Sequence, residues 1–256
     1  MKAKISVAII TKNEARNITR LLHSTKTFNE VVVVDSQSHD ETLKIATSLG
    51  AKTITQEWLG YGKQKQFAVN ACENDWIFSL DADEELSHDL VNELSDLDLS
   101  DDTRAFEIKR SSFFLGHKVR FSGWRNDYVV RIFNRKRAHF SDREVHEKVI
   151  GYTTLETLKG HLLHYPYQSH ADIKRKTEIY SLLGAKELQK SRVQPMKAWV
   201  LRAKAFFSFV RTYVFQLGLL DGRAGLQIAM MNSKCTYLKY FKFNKLLLDS
   251  KHLATS

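Results

Sequence analysis

The run Ile5-Ser6-Val7-Ala8-Ile9-Ile10, followed at once by the polar Thr11-Lys12-Asn13-Glu14, decides how the first hundred residues are read. Two more runs share its form, Val31-Val32-Val33-Val34 and Trp76-Ile77-Phe78-Ser79-Leu80. Short, nearly continuous apolar segments of this kind suit strands buried on both faces, as in a parallel sheet. Helix-like stretches separate them. Glu14 to Ser24 places Ile18, Leu21 and Leu22 on one face, and Asp40 to Leu49 carries a capping Asp40 and a stop at Gly50. Thr53 to Gln56 reads as a weaker strand and Gln64 to Cys72 as another helix. The alternation predicts an α/β fold with a doubly wound, mostly parallel sheet through about residue 95.

Beyond it the pattern turns β-rich, over Ala105 to Lys109, Tyr128 to Asn134 and Val145 to Ile150. From about Ala171 the sequence becomes helical, with a polar break at Ser191 to Pro195 before a basic, aromatic segment.

A chain of 256 residues, 43% of them apolar, is long enough to bury a core. With 11 Gly, 2 Pro and no biased tracts it is neither collagen-like nor broadly disordered. Cys72 and Cys235 form no CxxC pair and read as reduced core thiols. The apolar run at the N-terminus is too short for a secretory leader, and Ala198 to Leu220 is interrupted by Arg202, Lys204 and Arg211, against a membrane-spanning helix. These features predict a protein of the reducing cytoplasm. Basicity is concentrated in one place: Met196 to Ser256 holds ten Lys/Arg against Asp221 and Asp249.

Ligands of open parallel α/β sheets collect beyond the carboxyl ends of the strands. Here those ends are Thr11-Lys12-Asn13-Glu14, the segment Asp35 to Thr42, and Asp81-Ala82-Asp83-Glu84. Any one of them could be a set of helix caps. Three acidic clusters on one sheet edge would repel unless a cation or a ligand's donors lay among them, and a metal-nucleotide site supplies both. Asp81 and Asp83 on one turn suit a hard ion, Mg²⁺ or Mn²⁺. Neither a Walker lysine loop nor a G-x-G-x-x-G fingerprint is present. The second Asp-x-Asp, Asp96 and Asp98, lies in a polar run and reads as a solvated loop.

These segments, with Gly60-Tyr61-Gly62-Lys63-Gln64, resemble the family 2 inverting glycosyltransferases of the GT-A fold over roughly residues 4 to 150. Within them the chain looks most like the lipopolysaccharide inner-core β-1,4-glucosyltransferases, which share Gly123-Trp124, Arg131-x-Phe133, Val145-His146-Glu147 and Leu220-Asp221-Gly222-Arg223. The resemblance implies a nucleotide-sugar-binding α/β half over 1–100, an acceptor-side β-rich half of the same domain over 101–170, and a helical, basic extension over 171–256. It implies transfer of glucose from UDP-glucose to a core heptose. The alternatives are another hexose with a different lipid-linked or polysaccharide acceptor, or a non-catalytic nucleotide-sugar or polyanion-binding module. By the same resemblance Thr11, Asn13 and Glu14 line the nucleotide pocket, Asp35 accepts the uracil N–H, and Lys63 approaches the nucleotide or its phosphates. Asp81 faces the ribose or the metal, and Asp83 binds the Mg²⁺ or Mn²⁺ that bridges the diphosphate. The general base is Asp127, standing where the family has a Glu-Asp pair and this chain has Asn126-Asp127. Glu147 is its rival, and the neighbouring His146 could complete the metal site.

In the tail, Lys197, Lys204 and Arg211 are seven apart and share one side of a helix, while Trp199, Phe206, Phe207, Val210 and Val214 supply apolar surface. This predicts an in-plane helix on the anionic inner face of the cytoplasmic membrane, reaching a lipid-linked acceptor. An amphipathic helix packed on the catalytic domain is the alternative. Nucleic acid is not an expected partner, because the acidic strand ends repel phosphates that arrive without a metal.

Overall fold

The computed structural model describes residues 4–141, 147–190 and 194–254. Strands β1 (Ile5–Thr11), β2 (Glu30–Asp35), β3 (Lys52–Thr55) and β4 (Trp76–Asp81) form the predicted parallel ladder, ordered β3-β2-β1-β4. Helices α1 (Ala15–Ser24), α2 (Thr42–Ser48) and α3 (Tyr61–Asn70) connect them. Alternation explains why the apolar runs are continuous. Ile5, Val7, Ile9, Val33, Phe78 and Leu80 pack on one face with Ile18 and Leu21 of α1, while Ala8, Ile10, Val32, Val34 and Ile77 pack on the other with Ala68 and Val69 of α3. Helix α2 starts at Thr42 rather than at the residue after Asp40. Asp40 instead binds two helix starts at once, accepting from the Thr42 and Ala15 N–H groups. Burial would raise its carboxyl, but a bond from the Thr42 hydroxyl together with those N–H bonds outweighs burial and holds it below the ordinary value.

After β4 the chain makes β5 (Glu84–Leu86) and α4 (His88–Ser95), then β6 (Arg104–Phe114), β7 (His117–Lys118), β8 (Tyr128–Asn134), β9 (His139–Phe140), β10 (Val149–Ile150) and β11 (Thr154–Tyr167). The sheet continues as β4-β8-β6-β11-β5, with β8 antiparallel to both β4 and β6. The antiparallel pairing brings the start of β8 beside the carboxyl end of β4. The expected strand Val145 to Ile150 is described only as Val149–Ile150, paired with β9; Val145 and His146 lie outside the described residues.

The described residues fall into two units. The first takes in residues 1–111 and 127–165, the second 112–126 and 166–256. The second is built on α5 (His170–Lys190), α6 (Ala198–Val210) and α7 (Gly222–Ala254), with a π-helical turn at Arg211–Phe215 and a 3₁₀ turn at Gly218–Asp221. The Ser233 and Thr236 hydroxyls of α7 bond the Ala205 carbonyl and Ser208 Oγ of α6 at 2.8 and 3.1 Å. Phe114, Val119, Ala224 and Ile228 form its core with Trp124 and Tyr167. Gly225 is required where α7 crosses the 3₁₀ turn, since a Cβ there would stand 1.8 Å from the Gly218 carbonyl oxygen. Both cysteines are free; burial pushes the Cys72 thiol up to about 12, as expected of an inert core residue. Among the described residues no helix is long and apolar enough to cross a membrane.

Candidate active site

Register alone brings the three polar strand ends together. Thr11 pairs with Asp35 across β1 and β2, and Ile10 with Asp81 across β1 and β4. The Ser36 N–H donates to the Thr11 carbonyl at 2.9 Å, extending the β1–β2 ladder one step past the strand end. This is the edge where the strand order reverses, the place at which such sheets hold ligands.

On the β1–β2 side the loops are tightly cross-bonded. Asp35 is fully buried and accepts from the Ser38 N–H at 2.7 Å and from the Ser38 hydroxyl. The Asn13 N–H donates to Ser38 Oγ at 2.7 Å, the Asn13 carboxamide oxygen accepts from the His39 N–H at 2.8 Å, and the Glu14 N–H reaches Thr42 Oγ1 at 2.9 Å. Asn13 has φ +55°, a left-handed conformation that asparagine tolerates better than most residues. Thr11 Oγ1 is buried and has no hydrogen-bond partner among the described residues. Arg131 Nε, at the same strand-end cluster, is likewise buried and without a partner among the described residues.

On the β4 side the acidic cluster is neutralised by the chain itself. Lys65, 6% exposed on the inner side of α3, bonds Asp81 Oδ1 at 2.9 Å and Glu147 Oε1 at 2.8 Å. Arg131 of β8 binds Asp81 Oδ2 at 2.5 Å and also Glu84. Glu84 is buried, and its other oxygen accepts from the Asp81 N–H at 3.0 Å. Arg110 of β6 grips both carboxylate oxygens of Asp127, Nε to Oδ2 at 2.9 Å and Nη2 to Oδ1 at 3.0 Å, and lies 3.8 Å from Glu84. Burial alone would raise the Asp81 carboxyl, but the charges of Arg131 and Lys65 outweigh it and hold Asp81 well below the usual carboxylate range. Burial would likewise lower Arg131, yet Asp81 and Glu84 keep it firmly protonated.

Three cations, Lys65, Arg110 and Arg131, are thus threaded among four carboxylates. The sequence leads one to expect a metal or a ligand to relieve the repulsion of the strand ends; much of that relief comes from Lys65 and Arg131, which composition and periodicity left unremarked. Lys63 is exposed in the first turn of α3, two residues from the buried Lys65. Asp83, beyond the end of β4, has His164 of β11 beside it, Nε2 to Oδ1 at 3.7 Å, and its carbonyl accepts from the Tyr165 N–H at 2.8 Å. Burial lowers the His164 imidazole below its ordinary value despite the neighbouring Asp83. No group of three or more His, Cys, Asp or Glu side chains stands close enough to cage an ion among the described residues, which exclude His146. Asp83, at the mouth of the strand edge beside His164, has the hard carboxylate oxygens that an ion carried in large part by a diphosphate and water takes, as Mg²⁺ and Mn²⁺ commonly are.

In the helical unit, Lys197 and Arg211 are exposed, while Lys204 is half-buried with its ammonium 5.0 Å from the Tyr240 ring centre.

The family model for glycosyl transferase family 2 matches residues 6–154. A Rickettsia prowazekii protein described as an uncharacterized glycosyltransferase is 33% identical over 99% of this chain and 91% of its own length. The lipopolysaccharide core biosynthesis glycosyltransferase LpsC of Rhizobium meliloti is 28% identical over 93% of this chain and 90% of its own. Among solved structures, Staphylococcus aureus TarS 1–349, in complex with UDP-GlcNAc, aligns with 90% of this chain and 79% of that one at 16% identity and a TM-score of 0.46. Glucosyl-3-phosphoglycerate synthase of Mycobacterium tuberculosis, solved with Mn²⁺ and UDP, aligns over 43% of this chain and 44% of that one at 23% identity and a TM-score of 0.33. The family match spans the whole parallel ladder and the charged edge beyond it, and on that ground the chain belongs to glycosyl transferase family 2 and is a glycosyltransferase.

Proposed function

We propose that the enzyme moves glucose from UDP-glucose to a heptose of the lipopolysaccharide inner core, with inversion, on the inner face of the cytoplasmic membrane. The observation that carries the reading is the register that sets Thr11, Asp35 and Asp81 on one sheet edge, with Asp83 just beyond. The relative named for lipopolysaccharide core biosynthesis supports the acceptor class. Transfer of another hexose, or to another lipid-linked or polysaccharide acceptor, is the alternative.

In this reading Thr11, Asn13, Glu14 and Asp35 receive the nucleoside, and Lys63 approaches its phosphates. Asp81 is kept ionised by Lys65 and Arg131, so it serves the ribose or the ion as a fixed negative charge and carries no proton. Asp83 holds the Mg²⁺ or Mn²⁺, with His146 as a candidate second ligand. When bound, such an ion supplies neutralisation of the charge that develops on the departing diphosphate. Asp127 takes the acceptor hydroxyl's proton, and the two-pronged grip of Arg110 fixes its orientation.

The test is divalent-cation-dependent release of UDP from a panel of UDP-sugars, with and without heptose-bearing core lipid, in wild type and Asp83→Ala. Release from UDP-glucose that the lipid stimulates and the substitution abolishes is the expected result. Equal release with Asp83→Ala removes the ion from Asp83, and stimulation only with another sugar or acceptor moves the assignment there.

A further inference from the structure

Helix α6 is apolar on two opposite sides. Its inner side is settled by contacts with α7: Leu201 and Ser208 are buried, and the Ala205 carbonyl and Ser208 Oγ take bonds from Ser233 and Thr236. Its outer side carries Trp199, Phe206 and Phe207, which are 68%, 69% and 61% exposed. The apolar surface continues past the helix through Phe215, 70% exposed, and Leu220, 57% exposed. A surface helix on a soluble unit normally turns polar residues outward. At roughly 200 Å² per aromatic side chain, the exposed share of these four comes to on the order of 500 Å², in the range that marks interaction sites.

Charge indicates what covers this surface. Arg202 in α6 and Arg211 at the start of the π-helical turn, both exposed, flank the aromatic residues in sequence. Between Met196 and Leu248 the sole acidic residue is Asp221, and its carboxylate is taken up by the Arg120 and Phe121 N–H groups and the Ser122 hydroxyl. A second copy of the chain would bring the same cations and repel them; an anionic lipid headgroup would not. Trp199 at one end of the helix is also the residue type that settles at a membrane–water boundary.

We infer that α6 and the turn after it lie in the plane of an anionic bilayer, with Trp199, Phe206, Phe207 and Phe215 entering the headgroup–acyl boundary and Arg202 and Arg211 meeting the phosphates. The insertion is carried by the aromatic face, more than by the row Lys197, Lys204 and Arg211 that the sequence suggests, because Lys204 leans onto Tyr240. This deepens the membrane part of the proposed function and can fail separately from its chemistry.

The test is co-sedimentation of the full chain with vesicles of phosphatidylcholine containing phosphatidylglycerol, and with phosphatidylcholine alone. The expected result is pelleting with the anionic vesicles at low salt and little with the neutral ones. F206S/F207S should lower partitioning by about tenfold or more. R202Q/R211Q should lower it by about tenfold and weaken its salt dependence. Both variants should keep the wild-type circular dichroism and acceptor-independent UDP release, which separates lost docking from lost folding or lost chemistry. Wild-type chain that stays in the supernatant with anionic vesicles overturns the inference. So does a dimer in solution that F206S/F207S converts to monomer, since the face then belongs to a second copy. Vesicle binding without UDP release from any donor sustains the docking face and sinks the catalytic proposal instead.

Discussion

Replacing Lys65 by Met separates the electrostatic argument from simple packing, because Met keeps the length of the stem and removes only the charge. The Lys65 ammonium is 6% exposed and stands 2.9 Å from Asp81 and 2.8 Å from Glu147. At an effective dielectric of about 20, each pair at that distance is worth roughly 6 kcal/mol gross. Several kcal/mol are offset by desolvating the ammonium and each carboxylate. Without Lys65, Asp81 keeps Arg131, but Glu147 is left with no ion pair among the described residues. We expect a net loss of about 3 kcal/mol at pH 7, in line with broken buried pairs. Its pH dependence has a definite sign. Asp81 is depressed in the folded chain, so its stabilisation is present above the unfolded value near 4 and fades as the pH falls toward the lowered folded value. Lys65→Met should therefore differ most from wild type at neutral pH, and the gap should narrow in acid. Urea unfolding of both proteins at pH 7 and at about pH 2, below the unfolded value, measures it. A loss under about 0.5 kcal/mol at pH 7, or a gap that widens in acid, would refute the reasoning.

Asp127→Asn is expected to lower turnover by roughly 10²–10⁴ with UDP binding intact, as measured by acceptor-dependent release beside a UDP titration; persistent turnover there, together with its loss in Glu147→Gln, passes the base to Glu147. Asp221→Ala removes three hydrogen bonds to the 120–122 segment and should destabilise the helical unit by about 3 kcal/mol, seen as a lower urea midpoint; an unchanged midpoint would show that the cap is idle. Gly225→Ala sets a methyl 1.8 Å from the Gly218 carbonyl and should lose about 3 kcal/mol, read as a depressed Tm.

The parallel half was legible because its strands are buried on both faces and so announce themselves as unbroken apolar runs. The predicted strands fall within a residue of β1, β2 and β4, and Tyr128–Asn134 matches β8 residue for residue. Strand β5 and helix α4 were not found, since Glu84–Leu86 has only three residues and opens with a glutamate whose burial depends on Arg131, 47 positions away. The site divides along the same line. Thr11, Asp35 and Asp81 are strand ends and follow from the strands. Lys65 and Arg131 lie inside elements, on faces where periodicity predicts apolar residues, and their carboxylate partners come from other parts of the chain. The nearest signal was the Arg131-x-Phe133 segment, which carried resemblance but no assigned role.

The segment 112–126 leaves the first unit within β6 and returns to it just before β8, yet its apolar side chains pack on residues that come much later. Phe114, Val119 and Trp124 meet Ala224, Ile228 and Met231, and the Arg120 N–H meets Asp221 across 101 positions. During synthesis this loop must wait, uncovered, until nearly the whole chain has emerged, while the parallel ladder can assemble from its own neighbours. A chain cut after Tyr165 would not be a minimal catalytic domain: it would carry an orphaned apolar loop into solution and expose it to aggregation.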